Sequence, residues 1–387
     1  MLKVVLTGIP SSGKTSVTNG VVERFTELGY RVLVVPETAT EYINSGIKPF
    51  GDDGIDPIIF QELVLKKQLN KESLYEYAAN VLGSDKTIII FDRGTLDGYA
   101  YVPFDDMDSV VKKEGLGRRE LLLNYDVVLF LEGSDKFFTK ENNKARYEKD
   151  AAEAAALRKN LLNAYLGHDN LRVIQPREEM KDKQEEVINI VANMLGKPTR
   201  IRDQKKYLVS GVNIDALSSY VGSGVVFITQ DYLISPNEDE EYRIRSITQG
   251  SETTFHYSVI KKCQNGKREI IKEATINEED YHRLQTLKNP DLLTIEKTRY
   301  SFVYANQYYK LDVFSDGLML LEVNLTKENP NVTLPEFISV IDDVTNDPEY
   351  TNKRIARRKK EEYDKEKNNS CGGHRLLREK DTITNAS

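Results

Sequence analysis

Residues 4–15 read Val4-Val5-Leu6-Thr7-Gly8-Ile9-Pro10-Ser11-Ser12-Gly13-Lys14-Thr15, a short apolar run that breaks into the pattern G-x-x-x-x-G-K-[ST]. The spacing has a chemical reason. Glycines let the backbone curl until successive N–H groups point at phosphate oxygens, and the helix that follows adds the positive end of its dipole. A lysine at the place of Lys14 reaches the β- and γ-phosphates, and a hydroxyl at the place of Thr15 sits on Mg²⁺. The expected nucleotide-binding set is Gly8, Ser11, Ser12, Gly13, Lys14, Thr15 and Ser16. The ligand is ATP or GTP, and the chain has no N-K-x-D element to choose between them.

Outward from this loop, apolar runs alternate with stretches of helical spacing. The runs are Val4–Leu6, Val32–Val35, Thr87–Phe91, Val127–Leu131 and Leu171–Ile174, rich in Val and Ile and nearly free of polar residues. Such runs read as strands buried on both faces, hence a parallel sheet with helices on either side. Two acids directly follow runs, where open α/β sheets hold ligands: Glu37 in Val35-Pro36-Glu37-Thr38, and Asp92 in Ile90-Phe91-Asp92-Arg93-Gly94. An acid there holds Mg²⁺ through water or takes the proton of an attacking hydroxyl. Arg146, in Asn143-Lys144-Ala145-Arg146-Tyr147, stands where a lid arginine could neutralise a transferring phosphoryl group, and Arg158 is a second candidate.

The pattern changes near Gly196–Arg202. Beyond it, runs such as Tyr242–Ile247, Phe255–Lys261, Lys297–Val303, Tyr309–Phe314 and Leu318–Leu325 alternate with period two, separated by turn signals at Asn265-Gly266 and Asp316-Gly317. The expected domains are 1–197 (α/β) and 200–357 (antiparallel sheet or barrel), followed by a charged tail over 358–387 read as a fraying helix with a disordered end. Lys206, Arg243, Arg245, Lys261, Arg268, Lys297, Arg299 and Lys310 fall on strands of the second part. If that sheet closes, they could line one interior and hold a polyanion; a solvated polar face is the alternative.

Composition agrees with a folded two-domain chain: 387 residues, 39% hydrophobic and 30% charged. The net charge of −7 argues against a general nucleic-acid binder. Two distant cysteines, Cys263 and Cys371, suggest neither zinc nor disulfides, so a cytoplasmic setting is expected. There is no signal-peptide pattern and no apolar run near the roughly 18 residues of a spanning helix. The basic cluster Lys353-Arg354 and Arg357–Lys360 leaves peripheral contact with anionic lipid open.

The motifs V-V-L-T-G-I-P-S-S-G-K-T, V-P-E-T-A, I-I-F-D-R-G-T-L-D and A-R-Y-E, with a helix ending A-Y-L-G-H, resemble one P-loop NTPase family. It groups the ribosylnicotinamide kinase domain of bacterial NAD regulators with the N-terminal domain of the TRPL translocation defect protein family. The resemblance implies an acceptor hydroxyl near Asp92. The run from Tyr242–Ile247 through Leu321-Glu322-Val323-Asn324, closed by Asp343-Val344-Thr345-Asn346-Asp347-Pro348-Glu349-Tyr350-Thr351-Asn352, resembles a CYTH domain, which implies an eight-stranded triphosphate tunnel. That family's opening E-x-E-x-K aligns with Arg202-Asp203-Gln204-Lys205-Lys206, so Lys206 remains while Arg202 and Gln204 replace acids. Likewise Ile271 accompanies Glu273, and Asn324 accompanies Glu322. Losing carboxylates removes what hard divalent ions bind.

Three functional expectations follow. The first is a nucleotide-binding protein whose basic tunnel holds a phosphorylated ligand, such as a phosphoinositide or polyphosphate, without hydrolysing it. The pairing of the two domains resembles the TRPL translocation defect family, which implies GTP and phosphoinositides as candidates. The second is a small-molecule kinase with Asp92 as base, assisted by Glu37 and Arg146. The third is a Mg²⁺-dependent tripolyphosphatase in the second domain.

Overall fold

The computed structural model describes residues 1–10, 12–133, 151–195, 204–237, 239–262, 268–325 and 331–380. Its first part runs β1 (Leu2–Thr7), α1 (Lys14–Glu27), β2 (Arg31–Val35), α2 (Thr38–Asn44), α3 (Pro57–Leu82), β3 (Thr87–Asp92), α4 (Phe104–Lys113), α5 (Arg118–Leu123), β4 (Val127–Leu131), α6 (Ala151–Tyr165), β5 (Leu171–Ile174) and α7 (Met180–Leu195). The five strands pair in parallel in the order β2-β3-β1-β4-β5. Successive strand residues face opposite sides. Val5, Ile89, Phe91, Val128 and Phe130 therefore meet α3, α4 and α6 on one side, while Val4, Leu6, Ile90 and Leu129 meet Val17, Val21 and Phe25 of α1 and Val187 and Val191 of α7 on the other. Burial on both faces is why these strands read as unbroken apolar runs. Asp56 caps α3, accepting hydrogen bonds from the N–H groups of Ile58 and Ile59 at 2.8 and 3.2 Å, with Pro57 at the first helical position.

The second part runs β6 (Gln204–Val212), α8 (Ile214–Val221), β7 (Val225–Tyr232), β8 (Glu240–Gln249), β9 (Glu252–Lys262), β10 (Arg268–Ile276), α9 (Glu278–Gln285), β11 (Ile295–Tyr304), β12 (Gln307–Phe314), β13 (Met319–Asn324), β14 (Ile338–Asp343) and α10 (Asn352–Lys380). Nine strands pair antiparallel in the order β10-β9-β8-β7-β11-β12-β13-β6-β14, one more than the resemblance implied. The register slips where each edge strand meets its neighbour. One face packs Leu311, Leu321, Phe302 and Tyr309 against Leu217 and Val221 of α8. The other carries the charged residues, and Ile355 and Ala356 of α10 cover its apolar end at Tyr232, Ile295, Phe314 and Leu320. Helix α10 starts on that core and continues through Lys380.

The two parts meet along a polar seam. Glu252, at the start of β9, accepts the backbone N–H of Arg118 at 3.0 Å and of Arg119 at 2.9 Å, capping α5 from the other domain. Arg158 of α6 pairs with Glu132 and donates to Asn306 Oδ1 at 3.2 Å, in the β11–β12 turn. No helix among the described residues is long and apolar enough to cross a membrane.

Candidate functional site

The loop between β1 and α1 bends through two left-handed glycines, Gly8 at φ +141° and Gly13 at φ +88°. A Cβ on Gly8 would strike the Leu131 carbonyl, and one on Gly13 would lie 2.6 Å from Met180 Cε, so the sequence can only be glycine at these bends. Lys14 opens α1 and turns its ammonium back to the carbonyls of Gly8 and Ile9, at 3.1 and 3.3 Å. Burial and the Arg93 guanidinium press it down to about 8, against the pull of Asp92, Glu37 and Asp97. Ser12 is buried, its hydroxyl has no hydrogen-bond partner among the described residues, and its carbonyl accepts Lys183 Nζ at 2.7 Å. Ser16 is held through its carbonyl by Gln184 at 2.6 Å. Ser11 lies outside the described residues.

Asp92 ends β3 beside the loop, in register with Leu6. Its Oδ1 is buried with no hydrogen-bond partner among the described residues. Burial, with Glu37 and Asp97 adding, raises its carboxyl, while Lys14 and Arg93 oppose. Glu37 is not comparably available. It accepts Arg93 Nε at 2.6 Å, and although burial works to raise it, Arg93 and Lys14 outweigh that and hold it below its usual range. Arg146 falls in residues 134–150, outside the described residues. Arg158 is committed to Glu132 and Asn306.

Sequence reasoning missed the residues that fix this arrangement. Arg93 adopts φ +68°, rare for a residue with a side chain, and its guanidinium spans Glu37, Asp97 (3.1 Å) and the Gly8 carbonyl (3.3 Å). Asp97 accepts from Thr7 Oγ1 at 2.7 Å, Gly94 N at 2.9 Å and Tyr165 OH at 2.6 Å as well. Both residues lie in the motif I-I-F-D-R-G-T-L-D, and their spacing of four was a further signal.

Lys14, Thr15, Ser16, Glu37, Asp92 and Arg93 line one cavity of about 430 Å³ that continues past the loop between α2, α3 and α4. Its far wall is Ile43, Phe60, Val64, Leu65, Tyr101 and Met107, with Gln61 and Gln68 as polar points.

On the second sheet, Lys206, Arg243, Arg245, Lys297, Arg299 and Lys310 do share the charged face, but acids stand among them. Lys297 Nζ donates to Asp312 Oδ2 at 2.6 Å and Arg299 Nε to Asp312 Oδ1 at 2.6 Å; burial would raise Asp312, but the two cations hold it well below its usual range. Lys206 pairs with Glu322 at 3.1 Å, Arg245 with Glu273 at 3.1 Å and Lys310 with Asp169 at 3.3 Å. Arg243 donates to Ser258 Oγ at 2.6 Å. Lys261 is exposed, and the Arg268 side chain lies outside the described residues. The wall expected to be free and basic is therefore largely ion-paired, because Asp312 and Glu322 occupy the same pleat as the cations. Gln204 Nε2 donates to Asn324 Oδ1 at 2.7 Å, so the two amides that the sequence reading noted in place of acids pair with each other. Among the described residues no three His, Cys, Asp or Glu side chains gather to hold a metal.

Residues 3–183 match the family model described as an AAA domain. No curated protein matches the chain. Similar solved structures include one titled as the inorganic triphosphatase NE1496, 24% identical over 40% of this chain and 94% of that one with a TM-score of 0.29. The hypothetical protein NE1496 is 26% identical over 40% and 97%, with a TM-score of 0.28. The PH1819 protein from Pyrococcus horikoshii OT3 is 19% identical over 32% and 78%, with a TM-score of 0.23.

Proposed function

We propose that the first domain transfers the γ-phosphoryl group of ATP or GTP to a hydroxyl of a small acceptor. The observation that carries this reading is the carboxylate oxygen of Asp92, unpartnered among the described residues and placed in the same cavity as Lys14, with room for a second molecule beyond it. A nucleotide-binding role alone leaves that far compartment without an occupant. In this reading Lys14 and the loop N–H groups bind the triphosphate. The acceptor lies between Phe60, Tyr101 and Met107, and its O–H gives its proton to Asp92. The oxygen forms a bond to the γ-phosphorus as the bond to the β-phosphate oxygen breaks, and the nucleoside diphosphate leaves. Arg93 keeps Glu37 and Asp97 from the base and holds the loop fixed. Thr15, and Asp92 through water, are hard oxygen donors that would hold a Mg²⁺ ion, which would neutralise charge on the phosphates.

Turnover of the Asp92→Asn and Lys14→Ala variants tests this. Asp92→Asn is expected to keep nucleotide binding and lose about 10²–10⁴-fold in kcat. Lys14→Ala is expected to lose triphosphate binding itself. Full activity in Asp92→Asn would remove the base from the mechanism.

A second reading concerns the other sheet: its charged face takes a phosphorylated ligand, a polyphosphate or phosphoinositide, and does not hydrolyse it. The Gln204–Asn324 amide pair favours binding over hydrolysis, since amides are poor substitutes for carboxylates at a hard divalent ion. Four of the six basic residues of the α10 cluster are engaged with acids: Lys353 with Glu241, Arg354 with Glu349 and Glu361, Lys359 with Asp316, and Lys360 with Asp364. That pairing supports a solvated helix face over a lipid contact.

A further inference from the structure

At one end of the charged face, cationic donors outnumber the acids that answer them. Arg243 and Arg245 stand on β8, with Ser258 and His256 of β9 directly across from them. Gln230 of β7 lies across from Arg245 on the opposite side. A residue of the other domain enters this group. Arg119 of α5, 3% exposed, donates its Nε to Thr254 Oγ1 at 3.3 Å, and Thr254 Oγ1 lies 2.9 Å from His256 Nε2. Burial, then Arg245 and Arg119, push the His256 imidazole down to about 3, so it is neutral at ordinary pH. Burial and Arg245 likewise press Arg243 down to about 10, and burial presses Arg119 to about 10 despite Asp169.

Glu273 answers one end of Arg245, through Nη2. Arg245 Nε, Arg119 Nη1 and Gln230 Nε2 are nonetheless buried without a hydrogen-bond partner among the described residues. Gathered guanidiniums repel one another, and buried donors without acceptors are costly. Further along the same face the first domain also supplies an anion. Asp169, just beyond α6, accepts Lys310 Nζ at its carbonyl (2.9 Å) and carboxylate (3.3 Å), and the carboxylate lies 3.7 Å from Arg299. Asp169 acts through its charge on Arg119 and His256 as well, yet Arg245 Nε, Arg119 Nη1 and Gln230 Nε2 keep no hydrogen-bond partner among the described residues.

We propose that Arg119, Arg243, Arg245 and Gln230 form one site, shared between the domains, for the phosphoryl groups of a free polyphosphate anion, and that its occupancy clasps the two domains together. This rests on the second reading above and adds to it a guanidinium from the nucleotide-binding domain. Anything bound to donors on both sides of a junction stabilises the docked form by mass action. The depth of Arg119 favours a free anion over a lipid headgroup held at a bilayer.

The test is calorimetric titration of the full chain with sodium tripolyphosphate, in a Lys14→Ala background that silences the nucleotide loop. One binding event is expected, weakened roughly ten-fold or more by Arg119→Ala and by Arg245→Ala, in line with the loss of a charge-assisted hydrogen bond. Arg119→Lys keeps the cation where alanine disturbs folding, and it is expected to bind several-fold more weakly for want of the Nη1 donor. Glu252→Ala, which loosens the same junction without removing a donor, is expected to weaken binding less than Arg119→Ala. If Arg245→Ala weakens binding and Arg119→Ala and Arg119→Lys do not, the site belongs to the sheet alone; the shared site is overturned and the second reading stands. Absence of any binding event overturns both. Capture on phosphatidylcholine vesicles containing phosphatidylinositol bisphosphate, undiminished by tripolyphosphate, places the anion on an exposed face and also overturns the shared site.

Discussion

Glu72 lies on α3, 2% exposed, behind the loop that carries Asp92 and Arg93. It accepts hydrogen bonds from Gln68 Nε2 at 2.8 Å, Tyr125 OH at 2.9 Å and Asn124 Nδ2 at 3.0 Å. Gln68 in turn accepts Thr38 Oγ1 at 2.5 Å and donates to the Arg93 carbonyl at 3.4 Å, so the network braces the loop of Asp92 and Arg93 from below. Burial raises the Glu72 carboxyl from 4.5 to about 7, more than its three donors lower it. A carboxyl raised on folding binds its proton more tightly in the folded chain, so its contribution is greatest below pH 4.5 and declines as pH rises to about 7. Glu72→Gln is expected to remove that decline, worth on the order of 2–3 kcal/mol between those limits. Denaturant melts at pH 5 and pH 8 check it: equal pH slopes in the variant and the parent would show that Glu72 titrates normally. At this scale the sequence is most legible where spacing along the chain is itself the chemistry, as from Gly8 to Thr15. Asp97 was illegible because two of its partners, Thr7 and Tyr165, lie 90 and 68 residues away.

Among the elements, α5 shows most directly how the domains are joined. It spans six residues, too few to stabilise itself, and its first N–H groups have no partner within the helix. Glu252 of β9 supplies the acceptor from the other domain, and its carboxylate fits because position 117 is glycine; a Cβ there would collide with it. Glu252→Ala is expected to destabilise the chain by about 2 kcal/mol, since two amide donors lose a charged acceptor. Scanning calorimetry would show this as a lower transition temperature or as two transitions where the parent has one; an unchanged trace would mean the cap contributes nothing. The strands themselves were legible, because burial on two faces and burial on one leave different periods in the sequence. Period two also put Arg243 with Arg245, and Lys297 with Arg299, on one face of their own strands. It could not show that Asp312 and Glu322 stand beside them, because cross-strand neighbours depend on register, which alternation alone does not fix.

The whole molecule is a parallel α/β domain and an antiparallel sheet locked along a polar seam, with a hydrogen-bonded chain reaching from the nucleotide loop to that seam. Lys183 joins the Ser12 carbonyl to the Glu132 carbonyl, Glu132 pairs with Arg158, and Arg158 reaches Asn306 of the second sheet. The order of the two domains was legible from the change in period near residue 196. Their docking was not, since Asp169, Glu252 and Asn306 look like ordinary surface residues until the partner domain is in place. The central claim is that the first domain moves a phosphoryl group to an acceptor hydroxyl. A ³¹P NMR time course of the full chain with Mg²⁺ and ATP or GTP, with and without a pool of nucleosides and sugars, tests it most directly. The account predicts nucleoside diphosphate together with a new phosphomonoester signal that requires the pool and disappears in Lys14→Ala. Nucleotide signals that broaden on binding but never convert, with every acceptor in the pool left unphosphorylated, would contradict it.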